Sequence, residues 1–236
     1  MTPPLKIKIF ADGASLPGIL EMSRNPLISG FTTNPTLMRK AGITDYEAFA
    51  REALQVVTTL PISFEVFSDE LPEMERQALK IASWGDNVYV KIPSTNTHGE
   101  STHELAARLA QSGVKLNVTA MTTPAHLNRM LPSLAGGPPA VASIFAGRVA
   151  DSGRDPMPLM RECLEILQSA PNVELLWASP RELLNLIQAD EIGCHIITMT
   201  NDLISKIPTL GKNLDEFALD TVKMFARDSE AAGYRL

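Results

Sequence analysis

The chain is predicted to fold as a single (β/α)8 barrel of the α/β class, closed by an extra C-terminal helix. Three observations point there. Short apolar runs alternate with longer amphipathic stretches along the whole chain, the pattern of βαβ units on a parallel sheet. The runs number eight, the count that closes a barrel. The turn after the first run is Asp12-Gly13-Ala14-Ser15. It lacks the G-x-G-x-x-G that an open, doubly wound sheet places at that point.

Taken in order, the strands are read over 6–12, 30–34, 62–67, 88–93, 115–120, 140–147, 173–179 and 195–200. Each is a short apolar or alternating run bounded by turn residues, as a buried parallel strand requires. Helices are read over 15–23, 45–57, 71–84, 99–111, 122–131, 156–169 and 180–189, with another near 201–207, from the amphipathic stretches between the strands. Residues 213–232 form one more amphipathic helix, with Leu214, Phe217, Leu219, Val222 and Phe225 among its apolar positions. Residues 1–236 thus make one domain, of which 213–236 is a helical extension. That extension is expected to pack on its own barrel or on a neighbouring subunit of a homo-oligomer. No linker, repeat or low-complexity segment interrupts the pattern.

Composition narrows the function classes. The 236 residues are 44% hydrophobic and 20% charged, with a formal net charge of −6, so nucleic acid is not an expected partner. No stretch of about 18 apolar residues is present, so no membrane span is expected. The start, Met1-Thr2-Pro3-Pro4-Leu5-Lys6, lacks the apolar core of a signal peptide. Two cysteines, Cys163 and Cys194, make no disulfide framework and fit a reducing, cytoplasmic setting. Four histidines without close ligand spacing argue against a zinc site. Small molecules are left as the expected partners, and anionic ones need local basic residues.

Barrel enzymes place their chemistry at the C-terminal ends of the strands, and polar residues gather there in this chain. Asp12 ends the first strand. Thr32, Thr33 and Asn34 end the second, Glu65 lies in the third and Lys91 in the fourth. Asn117 and Thr119 lie in the fifth and Ser143 in the sixth, with Arg148 after it. Ser179 ends the seventh, and Arg181 follows. Any one of these could be a satisfied core or capping group, and Asp12 and Ser179 in particular could be helix N-caps. Their convergence on one barrel mouth argues for a site. Lys91 is the most pointed of them. It sits at the end of the apolar strand Val88-Tyr89-Val90-Lys91-Ile92-Pro93, where loss of hydration favours the neutral amine. A neutral lysine condenses with carbonyls to form a Schiff base; the bland alternative is an edge-strand lysine pointing to water.

Gly30-Phe31-Thr32-Thr33-Asn34-Pro35-Thr36 resembles the transaldolase signature G-[VF]-T-T-N-P-[ST], and Val90-Lys91-Ile92-Pro93 is similar to the Schiff-base motif of that family. Leu116-Asn117-Val118-Thr119, Ser143-Ile144-Phe145-Ala146-Gly147-Arg148 with Asp151, and Ala178-Ser179-Pro180-Arg181 resemble the family's N-x-T, S-P-F-V-G-R and A-S-x-R stretches. The matches run in order over nearly the whole chain. Length and the C-terminal helix are similar to the short subfamily of small transaldolases and fructose-6-phosphate aldolases.

The resemblance implies a class I aldolase barrel that uses neither metal nor cofactor and acts in pentose phosphate metabolism. It implies that Lys91 attacks a ketose phosphate, that Asp12 is the acid/base at the C4 hydroxyl, and that Glu65 and Thr119 hold a water for proton transfer. Asn34, Asn117 and Ser143, beside Thr33, would bind the three-carbon unit. Arg148 and Arg181 would clamp the phosphate with Ser179. Family aldolases carry glutamine and tyrosine where this chain has Glu65 and Phe145, so a transaldolase is expected, with an aldolase and a catalytically silent barrel as alternatives. The chain departs from the family at Gly13, at Met121-Thr122-Thr123-Pro124 and at Ile144, all bordering the mouth.

Overall fold

Eight parallel strands close on themselves in chain order in the computed structural model, which describes residues 5–235. They are β1 (Lys8–Asp12), β2 (Ile28–Thr32), β3 (Ile62–Glu65), β4 (Val88–Pro93), β5 (Leu116–Met121), β6 (Ala140–Ile144), β7 (Val173–Trp177) and β8 (Ile196–Thr200). The helices are α1 (Leu16–Ser23), α2 (Pro35–Lys40), α3 (Tyr46–Val56), α4 (Leu71–Ala82), α5 (His103–Gln111), α6 (Pro124–Met130), α7 (Ala146–Asp151), α8 (Pro156–Leu167), α9 (Leu184–Glu191), α10 (Asn201–Ile204) and α11 (Leu214–Ala232). This is the (β/α)8 barrel with an extra C-terminal helix that the alternation predicts. The segment Met1–Pro4, read above as lacking a leader, lies outside the described residues.

Two apolar layers hold the barrel together. The larger fills the space between strands and helices, with Phe31, Phe64, Met74, Leu105, Leu127 and Trp177 all essentially sealed from solvent. The smaller plugs the barrel interior and consists of Phe10, Val141, Leu176, Ala178 and Ile196, with Tyr89 and Phe145 packed against it. Strand side chains alternate between the two faces. Two residues past Phe10 comes Asp12, past Tyr89 comes Lys91, past Val141 comes Ser143 and past Ile196 comes Thr198. The interior therefore changes from apolar to polar within one step of the pleat. Gly30 makes room for the plug, since a Cβ there would lie 2.5 Å from the Phe10 ring.

Strand bounds lie within three residues of those predicted; β2 and β3 each end two residues early, and the differences that shape the mouth lie on the C-terminal side of the strands. The sixth strand stops at Ile144, three residues short of the predicted end, and α7 begins at Ala146. Gly147 fixes that turn: its N–H donates to the Ala178 carbonyl at 3.2 Å, and a Cβ on it would lie 1.6 Å from the Ser179 carbonyl oxygen. The seventh strand stops at Trp177, because Ser179 takes a left-handed φ of 58°. The short α2, which is not expected from the sequence, starts at Pro35, with the Asn34 side chain capping it by accepting from Leu37 N–H at 2.9 Å.

The C-terminal helix α11 is where 213–232 was expected, capped by Asn213 and ended by Gly233 in the left-handed conformation. None of its residues is buried, and Leu214, Val222 and Phe225 are at least 60% exposed. Among the described residues no helix is long and apolar enough to cross a membrane.

Candidate active site

Register brings the polar residues of the mouth together. Glu65 and Lys91 are direct partners across β3 and β4, and Lys91 and Asn117 across β4 and β5. Inward-facing register partners on adjacent strands stand close, and an ammonium beside a carboxylate in a poorly solvated place will pair with it. Lys91 Nζ lies 3.1 Å from Glu65 Oε2, with the two side chains only 9% and 17% exposed. The same ammonium donates to the Thr33 backbone carbonyl at 2.8 Å. Lys91 is thus a buried interior group and not an edge-strand lysine reaching to water.

Asp12 faces this pair from β1. Burial pushes its carboxyl above the ordinary aspartate range; the Lys91 charge and hydrogen bonds from Thr32 and Asn34 pull the other way, and the Glu65 charge adds to the rise. Thr32 Oγ1 donates to Asp12 Oδ1 at 2.8 Å. Asp12 caps no helix, since Ser15 is the N-cap of α1. Ser179 is no cap either, because Leu183 precedes α9. The capping alternatives for both are therefore excluded.

A cavity of about 400 Å³ opens over these groups. Of the residues singled out in the sequence, Asp12, Thr32, Asn34, Glu65, Lys91, Thr119, Ser143, Phe145, Arg148 and Ser179 line it. Thr119 Oγ1 is buried there without a hydrogen-bond partner, an arrangement suited to a bound water or substrate hydroxyl. The described residues contain two non-glycine positions with left-handed φ, Ala120 at 61° and Ser179 at 58°, and both line this cavity. Left-handed backbone at such residues is costly and concentrates at functional sites.

Three expected site residues lie elsewhere. Asn117 is fully buried and does not line the cavity; Ser143 Oγ donates to its Oδ1 at 2.7 Å and its Nδ2 donates to Ser63 Oγ at 3.0 Å. Both polar ends of the amide are used within the barrel, so Asn117 orients Ser143 and does not reach the cavity. Thr33 turns its hydroxyl outward to the Ser63 carbonyl at 2.9 Å and offers the site only its backbone oxygen. Arg181 is turned to Asp151, donating from Nε to Oδ1 at 2.9 Å and from Nη2 to Oδ2. Asp151 lies between the two arginines, 4.0 Å from Arg148 Nη1. Of the pair, Arg148 lines the cavity and Arg181 does not.

Thr32, one of the strand-end threonines, lines the cavity beside Asp12. The structure adds residues that the sequence reading passed over. Thr198 lines the cavity there too. Tyr46 on α3 accepts a hydrogen bond from the Glu65 N–H at 2.7 Å and its hydroxyl lies 2.9 Å from the Glu65 carbonyl, which pins the backbone of that carboxylate. Its ring stacks edge-on with Phe67 at 5.4 Å, and burial pushes its phenol well above the usual range. Pleat parity was the available signal for Thr198, two residues beyond the interior residue Ile196.

The chain is similar to known proteins over most of its length. Residues 9–236 match the family model described as transaldolase/fructose-6-phosphate aldolase. A probable transaldolase of Dehalococcoides mccartyi is 33% identical over 195 residues, covering 82% of this chain and 86% of that protein. Probable transaldolase 2 of Listeria monocytogenes is 34% identical over 218 residues, covering 91% and 95%. Among solved structures, a phosphonomutase candidate from Burkholderia cenocepacia aligns with a TM-score of 0.57 at 12% identity, covering 94% of each chain. That likeness is one of fold.

Proposed function

Because the chain belongs to the transaldolase/fructose-6-phosphate aldolase family, we propose that it is a transaldolase that works through a Schiff base on Lys91. The observation that carries this reading is the buried lysine held 3.1 Å from one carboxylate and facing a second. A neutral amine must be generated before it can attack a carbonyl, and Glu65 is placed to take the proton.

The amine attacks C2 of a ketose phosphate such as fructose 6-phosphate. The carbinolamine loses water to give an iminium, with proton transfer served by Glu65 and a water held at Thr119 Oγ1. Asp12 removes the proton of the C4 hydroxyl, the C3–C4 bond breaks, and glyceraldehyde 3-phosphate leaves. The electron pair stays on the three-carbon unit as an enamine. An aldose phosphate such as erythrose 4-phosphate is then captured by C3 of the enamine, Asp12 returns its proton to the new alkoxide, and hydrolysis frees sedoheptulose 7-phosphate and Lys91. Asn34 and Ser143 hold hydroxyls of the three-carbon unit, Asn117 sets Ser143, and Arg148 with Ser179 receives the phosphate. Arg181 joins when it shares its guanidinium between Asp151 and phosphate.

The family contains two activities, and Phe145 with Glu65 favours transfer over release. The reading places the enzyme in the cytoplasm, in pentose phosphate metabolism. It includes a homo-oligomer in which the open apolar residues of α11 pack against a second subunit. A coupled assay with fructose 6-phosphate decides the activity: glyceraldehyde 3-phosphate should form rapidly only when erythrose 4-phosphate is present. Equal rates with and without the acceptor would assign the aldolase instead.

A further inference from the structure

We infer that Thr198 is a positioning residue for Asp12, acting through Thr32, an inference that rests on Asp12 being the acid/base of the proposed reaction. Thr198 stands on β8, 6% exposed, with Oγ1 2.5 Å from Thr32 Oγ1. Thr32, itself 3% exposed, donates to Asp12 Oδ1 at 2.8 Å. A hydroxyl has one proton to give. Thr32 gives it to Asp12, so at the second contact Thr32 accepts and Thr198 donates. The order Thr198 to Thr32 to Asp12 is therefore fixed while the carboxylate is ionised. Without Thr198, the Thr32 hydroxyl has lost the donor that aligns and polarises it.

A purely architectural role would not require this residue. The β1–β8 ladder runs through the backbone, with Thr198 in register with Phe10. The apolar plug directly beneath is served by Ile196, and a valine of the same shape would suit a barrel interior better than a hydroxyl. Among the described residues, the Thr198 hydroxyl hydrogen-bonds to Thr32 and to no other side chain. The charged groups facing Asp12 are Lys91 from β4 and Glu65 from β3, and a change at Thr198 removes neither.

The experiment compares Thr198→Val, which keeps shape and removes the hydroxyl, with Thr198→Ser, which keeps the hydroxyl. Thr198→Val should still form the borohydride-trapped adduct on Lys91, with KM for fructose 6-phosphate within about twofold of the unmutated enzyme. Its kcat should fall roughly three- to tenfold, well below the roughly 10²-fold expected when the general base itself is removed. The acidic limb of its pH profile should move upward, since a weakened hydrogen bond to the ionised form disfavours that form. Thr198→Ser should recover most of the rate. Thr32→Val should lose more, and adding Thr198→Val to it should cost nothing further, because the second residue acts only through the first. Thr198→Ala replaces the valine variant if that fails to fold. Unchanged kcat and pH profile in Thr198→Val, or additive losses in the double variant, would overturn the inference. Failure of the unmutated protein to form the Lys91 adduct would instead overturn the reading beneath it.

Discussion

Lys91 Nζ and Glu65 Oε2 sit 3.1 Å apart on register-paired residues of neighbouring strands. The pairing is built by the sheet, so it is present before any substrate arrives. It also gives the lysine a proton acceptor next to the place where a carbonyl would bind. Glu65→Gln keeps the size of the side chain and a hydrogen-bond partner for the amine but cannot carry a proton. Adduct formation should slow by roughly 10²-fold, the usual scale for lost acid/base help. The rate of trapping in single-turnover mixing checks this. An unchanged rate would remove Glu65 from the chemistry.

Asp12→Asn should lower turnover by roughly 10²-fold or more, since the amide cannot accept the C4 hydroxyl proton. Its effect on stability should run the other way. Burial raises the Asp12 pKa above the ordinary value of 3.8, so between those two values the folded state binds more protons than the unfolded one. Stability then falls as pH rises through the folded pKa, and the full cost is present above it. Asn carries no such cost. Denaturant unfolding should show Asp12→Asn gaining stability relative to the parent as pH rises from acid to neutral; a loss at neutral pH would contradict the burial argument.

The two arginines should separate. Arg148 lines the cavity, whereas Arg181 is paired with Asp151 on the rim. Arg148→Ala should raise KM for fructose 6-phosphate about tenfold or more while leaving unphosphorylated dihydroxyacetone donors nearly unaffected, because a charge-assisted phosphate contact is lost. Arg181→Ala should act in the same direction and more weakly. Equal losses for phosphorylated and unphosphorylated donors would make both arginines structural.

Phe145 presents an apolar ring to the cavity, between the sixth strand and α7. Freeing dihydroxyacetone requires a proton on the enamine carbon, and this ring supplies none. Phe145→Tyr, alone or with Glu65→Gln, should raise the ratio of dihydroxyacetone release to transfer. Product analysis by chromatography measures that ratio, and no change in it would mean that position 145 does not select between the two outcomes.

The barrel was legible in the sequence because alternation of apolar runs is what a parallel barrel needs, strand by strand. Lys91, Glu65 and Asp12 were legible because charged residues ending apolar strands have few places to go. Thr33 and Asn117 were harder. Their outward or inward aim depends on pleat parity and on which neighbour claims their hydrogen bonds, here the Ser63 carbonyl and the Ser63–Ser143 pair. Arg181 depends on a partner 30 residues away, Asp151, which no local pattern encodes. Thr198 was missed because a single threonine in an apolar strand looks like any β-branched strand residue.

The proposed chemistry stands or falls on whether Lys91 carries the substrate covalently. The direct measurement is borohydride reduction in the presence of fructose 6-phosphate, followed by peptide mass mapping. One three-carbon adduct is expected, located on Lys91 and absent from Lys91→Ala. An adduct on Lys115 or any other lysine, or no adduct from an enzyme that turns over, would contradict it.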